Sequence, residues 1–224
     1  MTRDEFIRLL APVVIAVRLE GSPLLPSVRL AQNVLETGGS IPSWNNLGGI
    51  KAGSGRTNAY WRGAVVNRRT WEVENGVRRD ISADFRAYDS IYDFYKDQDL
   101  LFNLARYARV HAARSPEEQA YALQSSGYAT DPQYGNKLIL LIAQYNLKQY
   151  DREAEQLLEK LTSELEELRR EVTSLQGRLS MSEIPDWARA AVDAAVEKGV
   201  VASPQGRSFD FYSVITVMHR MGLL

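Results

Sequence analysis

The chain of 224 residues contains no cysteine and only two histidines, His111 and His219. The first absence excludes disulfides, thiol nucleophiles and cysteine-based zinc sites. The second argues against a histidine-held metal centre, and neither histidine sits beside a nucleophile-elbow pattern. No metal or other cofactor is expected. Long apolar runs are missing as well, so no membrane insertion is expected. The run LLAPVVIAV at 9–17 has the length of a signal-peptide core. It is preceded by Asp4 and Glu5, interrupted by Pro12 and followed by Arg18, while Phe6, Leu9, Leu10, Val13 and Val17 keep helical spacing. It reads as a core helix, not a secretion signal. The side chains left for chemistry are carboxylates, tyrosines and amides.

Apolar residues make up 45% of the chain and charged residues 25%, which places it among ordinary globular proteins. The net charge of −1 is unevenly spread. Residues 1–150 hold 18 basic and 15 acidic side chains, residues 151–182 hold 5 and 8, and residues 183–224 hold 4 and 5. The first segment is thus mildly positive, which suits a polyanionic target only weakly. No nucleic-acid partner is expected.

Three segments follow from the patterning. Residues 1–150 mix polar and apolar positions, hold Trp44, Trp61 and Trp71, and read as one globular domain. Helices are expected near 3–19, 26–37, 90–109, 116–126 and 131–149. Between Ile50 and Tyr88 glycines punctuate the chain, and alternating runs flank Asn75-Gly76, a strong signal for a hairpin. The fold class expected is α+β, mostly helical, with a small β-hairpin lobe.

Residues 151–182 form the second segment. At 151–180, Ala154, Leu158, Leu161, Leu165, Leu168, Val172, Leu175 and Leu179 alternate steps of four and three. That is a coiled-coil seam of about three heptads. With Leu158 at position a, Glu164 is a g residue and Arg169 the following e residue, a pair able to bridge two parallel strands. A homo-oligomer is expected; the alternative is a single amphipathic linker helix. Residues 183–224 form a small helical tail. Pro185 opens a helix and Gly199 ends it. Phe211, Val214, Ile215, Met218 and Met221 share a face of the next helix.

Among the carboxylates Glu36 stands out. Val28, Ala31, Val34 and Leu35 make the preceding helix amphipathic, and Gly38-Gly39 end it. A glutamate in the last turn sits at the negative end of the helix dipole, and there, partly buried, its pKa rises. A raised pKa is what a general acid requires at neutral pH.

Several stretches together resemble glycoside hydrolase family 73, the bacterial and phage β-N-acetylglucosaminidases. VRLAQNVLETG resembles the family's segment around its acid, and WNNLGGIKAG its asparagine–glycine–isoleucine–lysine motif at Asn46, Gly49, Ile50 and Lys51. TWEVENG resembles its hairpin, DFRAYDS its phenylalanine–arginine–aromatic–tyrosine segment, and SSGYATDPQYGNKL its tyrosine–alanine–threonine–aspartate–proline motif. These stretches cover roughly 5–148. Two positions depart from the family: Thr37 replaces a serine, and Gly48 replaces an aromatic residue, which removes a wall of the groove or opens space for Trp44.

The resemblance implies a lysozyme-like domain with a groove between a helical lobe and the hairpin. It implies Glu36 as the general acid, Glu72 as the second, hairpin acid with Glu74 its rival, and Tyr128 as a groove tyrosine. Asn46, Lys51, Trp44, Trp61 and Glu74 are the expected substrate contacts. The implied substrate is the glycan strand of peptidoglycan, cut at the β-1,4 bond after N-acetylglucosamine. The architecture resembles that of a phage endolysin of a Gram-positive host, held in the cytoplasm until a holin releases it. Alternatives are a bacterial autolysin, a muramidase or lytic transglycosylase of the same fold, and a non-catalytic wall-binding or phage structural protein. The tail resembles one S-layer-homology-like repeat, which implies wall binding. Its alternative is a helical cap on the coiled coil.

Overall fold

The computed structural model describes residues 1–74 and 77–224, and the side chains of 71–79 lie outside the described residues. The expected Asn75-Gly76 turn therefore also lies outside them. The chain divides into two compact units, Met1–Leu158 and Glu159–Leu224.

The first unit opens with α1 (Arg3–Leu19), started by a capping box in which Thr2 and Glu5 satisfy each other's backbone N–H groups. One face of this helix lies in the core, with Phe6, Leu10, Val14 and Val17 fully or almost fully buried, while Leu9, expected on that face, is exposed. Next comes α2 (Pro26–Thr37), the central helix of the unit. Every residue from Pro26 to Val34 is buried, polar ones included. This corrects the expected amphipathic pattern, because Arg29, Gln32 and Asn33 find side-chain partners inside the protein. Arg29 pairs with Asp99, donates to Ser22 Oγ and Gln98 Oε1, and lies over the Tyr95 ring. Pairing of this kind offsets the cost of burying a guanidinium.

Two antiparallel strands follow, β1 (Val65–Glu74) and β2 (Val77–Arg86), in a register that pairs Val65 with Arg86 and Glu72 with Arg79. A loop at 50–52 adds a short third rung. Ala52 donates to Asp84 O and Arg86 N donates to Ile50 O. At the base of the hairpin, the buried Asp97 of α3 (Ile91–Phe102) accepts from Arg86, Tyr88 and Asn58. This one carboxylate ties hairpin, loop and helix together.

The helix expected over 90–109 ends at Phe102 and resumes through a 3₁₀ turn into α4 (Ala108–Ala112). Two short helices then pack closely, α5 (Pro116–Ser125) and α6 (Tyr134–Gln144). A side chain at Gly135 would lie 2.9 Å from the Tyr121 ring, so α6 approaches α5 with backbone alone. The helix expected over 131–149 is broken after Gln144. Asn146 adopts φ 50°, which reverses the chain before the next helix begins.

That helix is α7 (Lys148–Leu179). Its first turns belong to the first unit: Ala154 is buried, and Asp151 Oδ1 accepts the Ser27 N–H at 2.8 Å. Asp151 thereby caps α2, whose own N-cap position is Leu25 and offers no side-chain oxygen. From residue 155 to residue 180 every position is exposed. In the second unit, a 3₁₀ turn leads into α8 (Arg189–Glu197), and α9 (Phe209–Arg220) follows, capped by Ser208. Ala188, Ala191, Val192, Ala195, Tyr212 and Ile215 form a small core of their own.

Candidate active site

Glu36 stands in the last turn of α2, followed by Gly38 with φ 68°, a left-handed conformation that closes the helix. Gly39 cannot carry a side chain either, since its Cβ would lie 2.8 Å from Arg3 Cγ. Thr37 does structural work here. Its hydroxyl donates to Asn33 O at 2.6 Å and accepts from Gly39 N at 3.2 Å, which fixes the turn after the acid.

The Glu36 side chain is exposed, and nearby protein atoms partly desolvate its carboxyl. That desolvation raises its pKa above the usual carboxylate value, against a smaller lowering from a hydrogen bond donated by Tyr134. Tyr134 Oη donates to Glu36 Oε1 at 3.2 Å and accepts from Gln32 Nε2 at 3.1 Å. Gln32 sits one helical turn before Glu36 on α2. The chain Gln32 to Tyr134 to Glu36 holds one carboxyl oxygen as an acceptor and leaves the other for a proton.

The phenol that touches the acid is thus Tyr134, a residue the sequence reading passed over. It lies in the same motif as Tyr128, and only the packing of α6 against α2 reveals which phenol meets Glu36. Tyr128 is half-buried beside it, with ring centroids 5.8 Å apart. Its ring stacks on Phe102, and its hydroxyl accepts from Gln98 Nε2 at 3.1 Å and donates to Gly48 O at 3.4 Å. Burial raises the pKa of both tyrosines, so both stay neutral donors. Gly48 leaves no open space. A Cβ there would lie 3.1 Å from each of Gln98 Nε2, Phe94 Cζ and Tyr128 Oη.

Two of the expected substrate contacts are corrected. Asn46 is buried and its amide is fully used: Nδ2 donates to Ile50 O and Arg86 O, and Oδ1 accepts from Gly48 N and Ile50 N. An amide with two donors and two acceptor sites has nothing left for a ligand. Its work is to pin the loop to the hairpin. Trp61 is 1% exposed, donates through Nε1 to Ala64 O and carries the Arg86 guanidinium over its ring. It is a core residue, with no face for a sugar. Trp44 is half-buried, with the Arg68 guanidinium 4.3 Å from its ring centre. Lys51 is exposed and its backbone bridges to Phe85. The structure thus brings Glu36, Tyr128 and Tyr134 together. Glu72 and Glu74 stand on β1, but their side chains lie outside the described residues.

Residues 17–147 match the glucosaminidase model, described as mannosyl-glycoprotein endo-beta-N-acetylglucosaminidase, and the chain belongs to this family of glycoside hydrolases. It is 38% identical over 138 residues to the exo-glucosaminidase LytG of Bacillus subtilis, an alignment that covers 57% of this chain and 46% of LytG. It is 37% identical over 153 residues to the peptidoglycan hydrolase FlgJ of Salmonella typhimurium, covering 64% and 46%. The chain therefore spans about half the length of these curated relatives. Among solved structures, a mutant peptidoglycan hydrolase from Sphingomonas sp. A1 superposes with a TM-score of 0.56 at 36% identity, covering 66% of this chain and 97% of that one.

Proposed function

We propose that this protein hydrolyses peptidoglycan glycan strands at the β-1,4 bond between N-acetylglucosamine and N-acetylmuramic acid. The observation that carries the reading is Glu36, an accessible carboxyl with a raised pKa, gripped at one oxygen by Tyr134. Family membership and the names of LytG and FlgJ support the substrate class.

In this reading Glu36 is protonated when substrate arrives and donates its proton to the glycosidic oxygen as the bond to the anomeric carbon breaks. The emerging positive charge is met in one of two ways. A hairpin carboxylate, Glu72 or its rival Glu74, activates a water on the opposite face. Alternatively, the sugar's own acetamido oxygen attacks first, and water then opens the cyclic intermediate. Tyr128, packed beside Tyr134, is the group we assign to orient the acetamide. Trp44 and Lys51 remain the proposed glycan contacts.

Fragments released from purified wall test the bond. After borohydride reduction, mass spectrometry should find reduced N-acetylglucosamine at the new ends. Reduced N-acetylmuramic acid would make the protein a muramidase, and anhydro ends a transglycosylase.

The biological setting we propose is that of a phage endolysin. Expression with and without a holin tests this: lysis that depends on the holin is expected, and lysis without one favours an autolysin. The wall-binding tail at 183–224 belongs to the same proposal, as does self-association through residues 151–180. A pull-down of the full chain with purified wall, with and without the tail, tests the former.

A further inference from the structure

The exposed stretch of α7 makes a demand that this chain does not meet by itself. From residue 155 to residue 180 no position is buried, yet one stripe of it is apolar. Leu161 is 51% exposed, Leu165 49%, Leu168 57%, Val172 50% and Leu175 50%. An isolated helix in water is marginal, and an apolar stripe two residues wide per heptad is the width of a coiled-coil seam. We propose that the occupant of this seam is a second copy of the same chain, aligned parallel and in register.

Charge decides the direction. The charged g positions beside the seam are Glu164, Glu171 and Arg178, and the central e position is Arg169. In a parallel pair each g residue faces the e residue five positions later on the partner strand. Glu164 then meets Arg169 of the other copy, and the two-fold axis makes this contact twice. In an antiparallel pair with all layers overlapped, g faces g, and Glu164 meets Glu171, again twice. The parallel pair gains two attractive contacts where the antiparallel one has two repulsive contacts. Sliding the antiparallel pair by a heptad toward the C-terminus brings Glu164 to Arg178 but sets Glu171 against Glu171 and Arg169 against Arg169. The lysine at 160 reaches Glu164 at 3.8 Å along the same helix, a long exposed contact that a cross-strand arginine can replace.

Val172 gives a direct probe, because the chain has no cysteine of its own. In the parallel pair Val172 is an a residue facing its own copy, within the Cα spacing a disulfide needs. In the antiparallel pair it faces Leu161, and the two Val172 residues stand about 16 Å apart along the axis at 1.5 Å per residue.

The experiment uses the full chain. Light scattering across a concentration range should approach about twice the 25.2 kDa chain mass. A monomer at every concentration overturns the proposal, and a trimer or tetramer overturns the two-stranded form. Mild oxidation of Val172→Cys should yield a covalent dimer in high proportion. A dimer that stays uncrosslinked overturns the parallel arrangement. Glu164→Arg should weaken association at least severalfold, and adding Arg169→Glu should restore it. Leu168→Glu should give a monomer that still cleaves soluble glycan fragments at the normal rate. Loss of that cleavage in Glu36→Gln, with dimerisation intact, would bear on the catalytic proposal alone.

Discussion

Glu36 and Asp97 are both carboxylates set among protein atoms in the same unit, and they are built for opposite jobs. Asp97 accepts from Arg86, from the Tyr88 hydroxyl at 2.6 Å and from the Asn58 amide at 2.6 Å. Among the described residues, Glu36 accepts from Tyr134 alone, at 3.2 Å. A carboxylate surrounded by donors becomes a mechanical joint. One with a single donor in a desolvated place keeps its proton longer and can give it away.

The comparison can be broken in four ways. The largest effect is expected for Glu36→Gln, which should lower wall hydrolysis by about 10²–10⁴-fold, the range for loss of a general acid. Its circular dichroism should stay unchanged; normal hydrolysis would remove Glu36 from the chemistry. Asp97→Asn should act on the fold instead. Leaving Arg86 without its charged partner should cost about 3–5 kcal/mol, as for half of a buried pair, measured by urea denaturation. A fully stable Asp97→Asn protein that has lost only activity would reverse the roles assigned to the two acids.

Tyr134→Phe sharpens the contrast through pH. Activity requires protonated Glu36, so the rate falls as pH rises through its pKa. Removing the hydrogen bond that favours the carboxylate should move this basic limb to higher pH, with a modest drop in kcat. A lower kcat with an unmoved limb would make Tyr134 a packing residue only. The smallest effect concerns stability. Because the folded-state pKa of Glu36 is raised, its stabilising contribution is complete below the ordinary glutamate value and is lost as pH rises through the raised value. Glu36→Gln should therefore melt slightly higher than the parent at pH 7, with the gain vanishing near pH 4.

Much of this was legible before any coordinates. The first two helices lie where the capping residues, Pro26 and the paired glycines place them, since those signals are local. The hairpin strands followed from alternation, and Glu36 from its place before Gly38. What escaped depends on tertiary contacts. Tyr134 and Tyr128 are neighbours in one motif, and only the approach of α6 to α2 distinguishes the one that touches the acid. Asn46 and Trp61 have the chemistry of sugar-binding residues, but the loop and hairpin base use all of it internally. Asn146 ends a helix by a left-handed turn that carried no glycine to announce it.

The hydrogen bond from Ser27 N to Asp151 bears on how portable the catalytic part is. The helix that carries Glu36 is stoppered at its far end by a residue of the next segment. A fragment cut at 150, where the composition changes, would lose the stopper and the buried Ala154 with it. In gene fusions and domain swaps, the first turns of the stalk must travel with the enzyme.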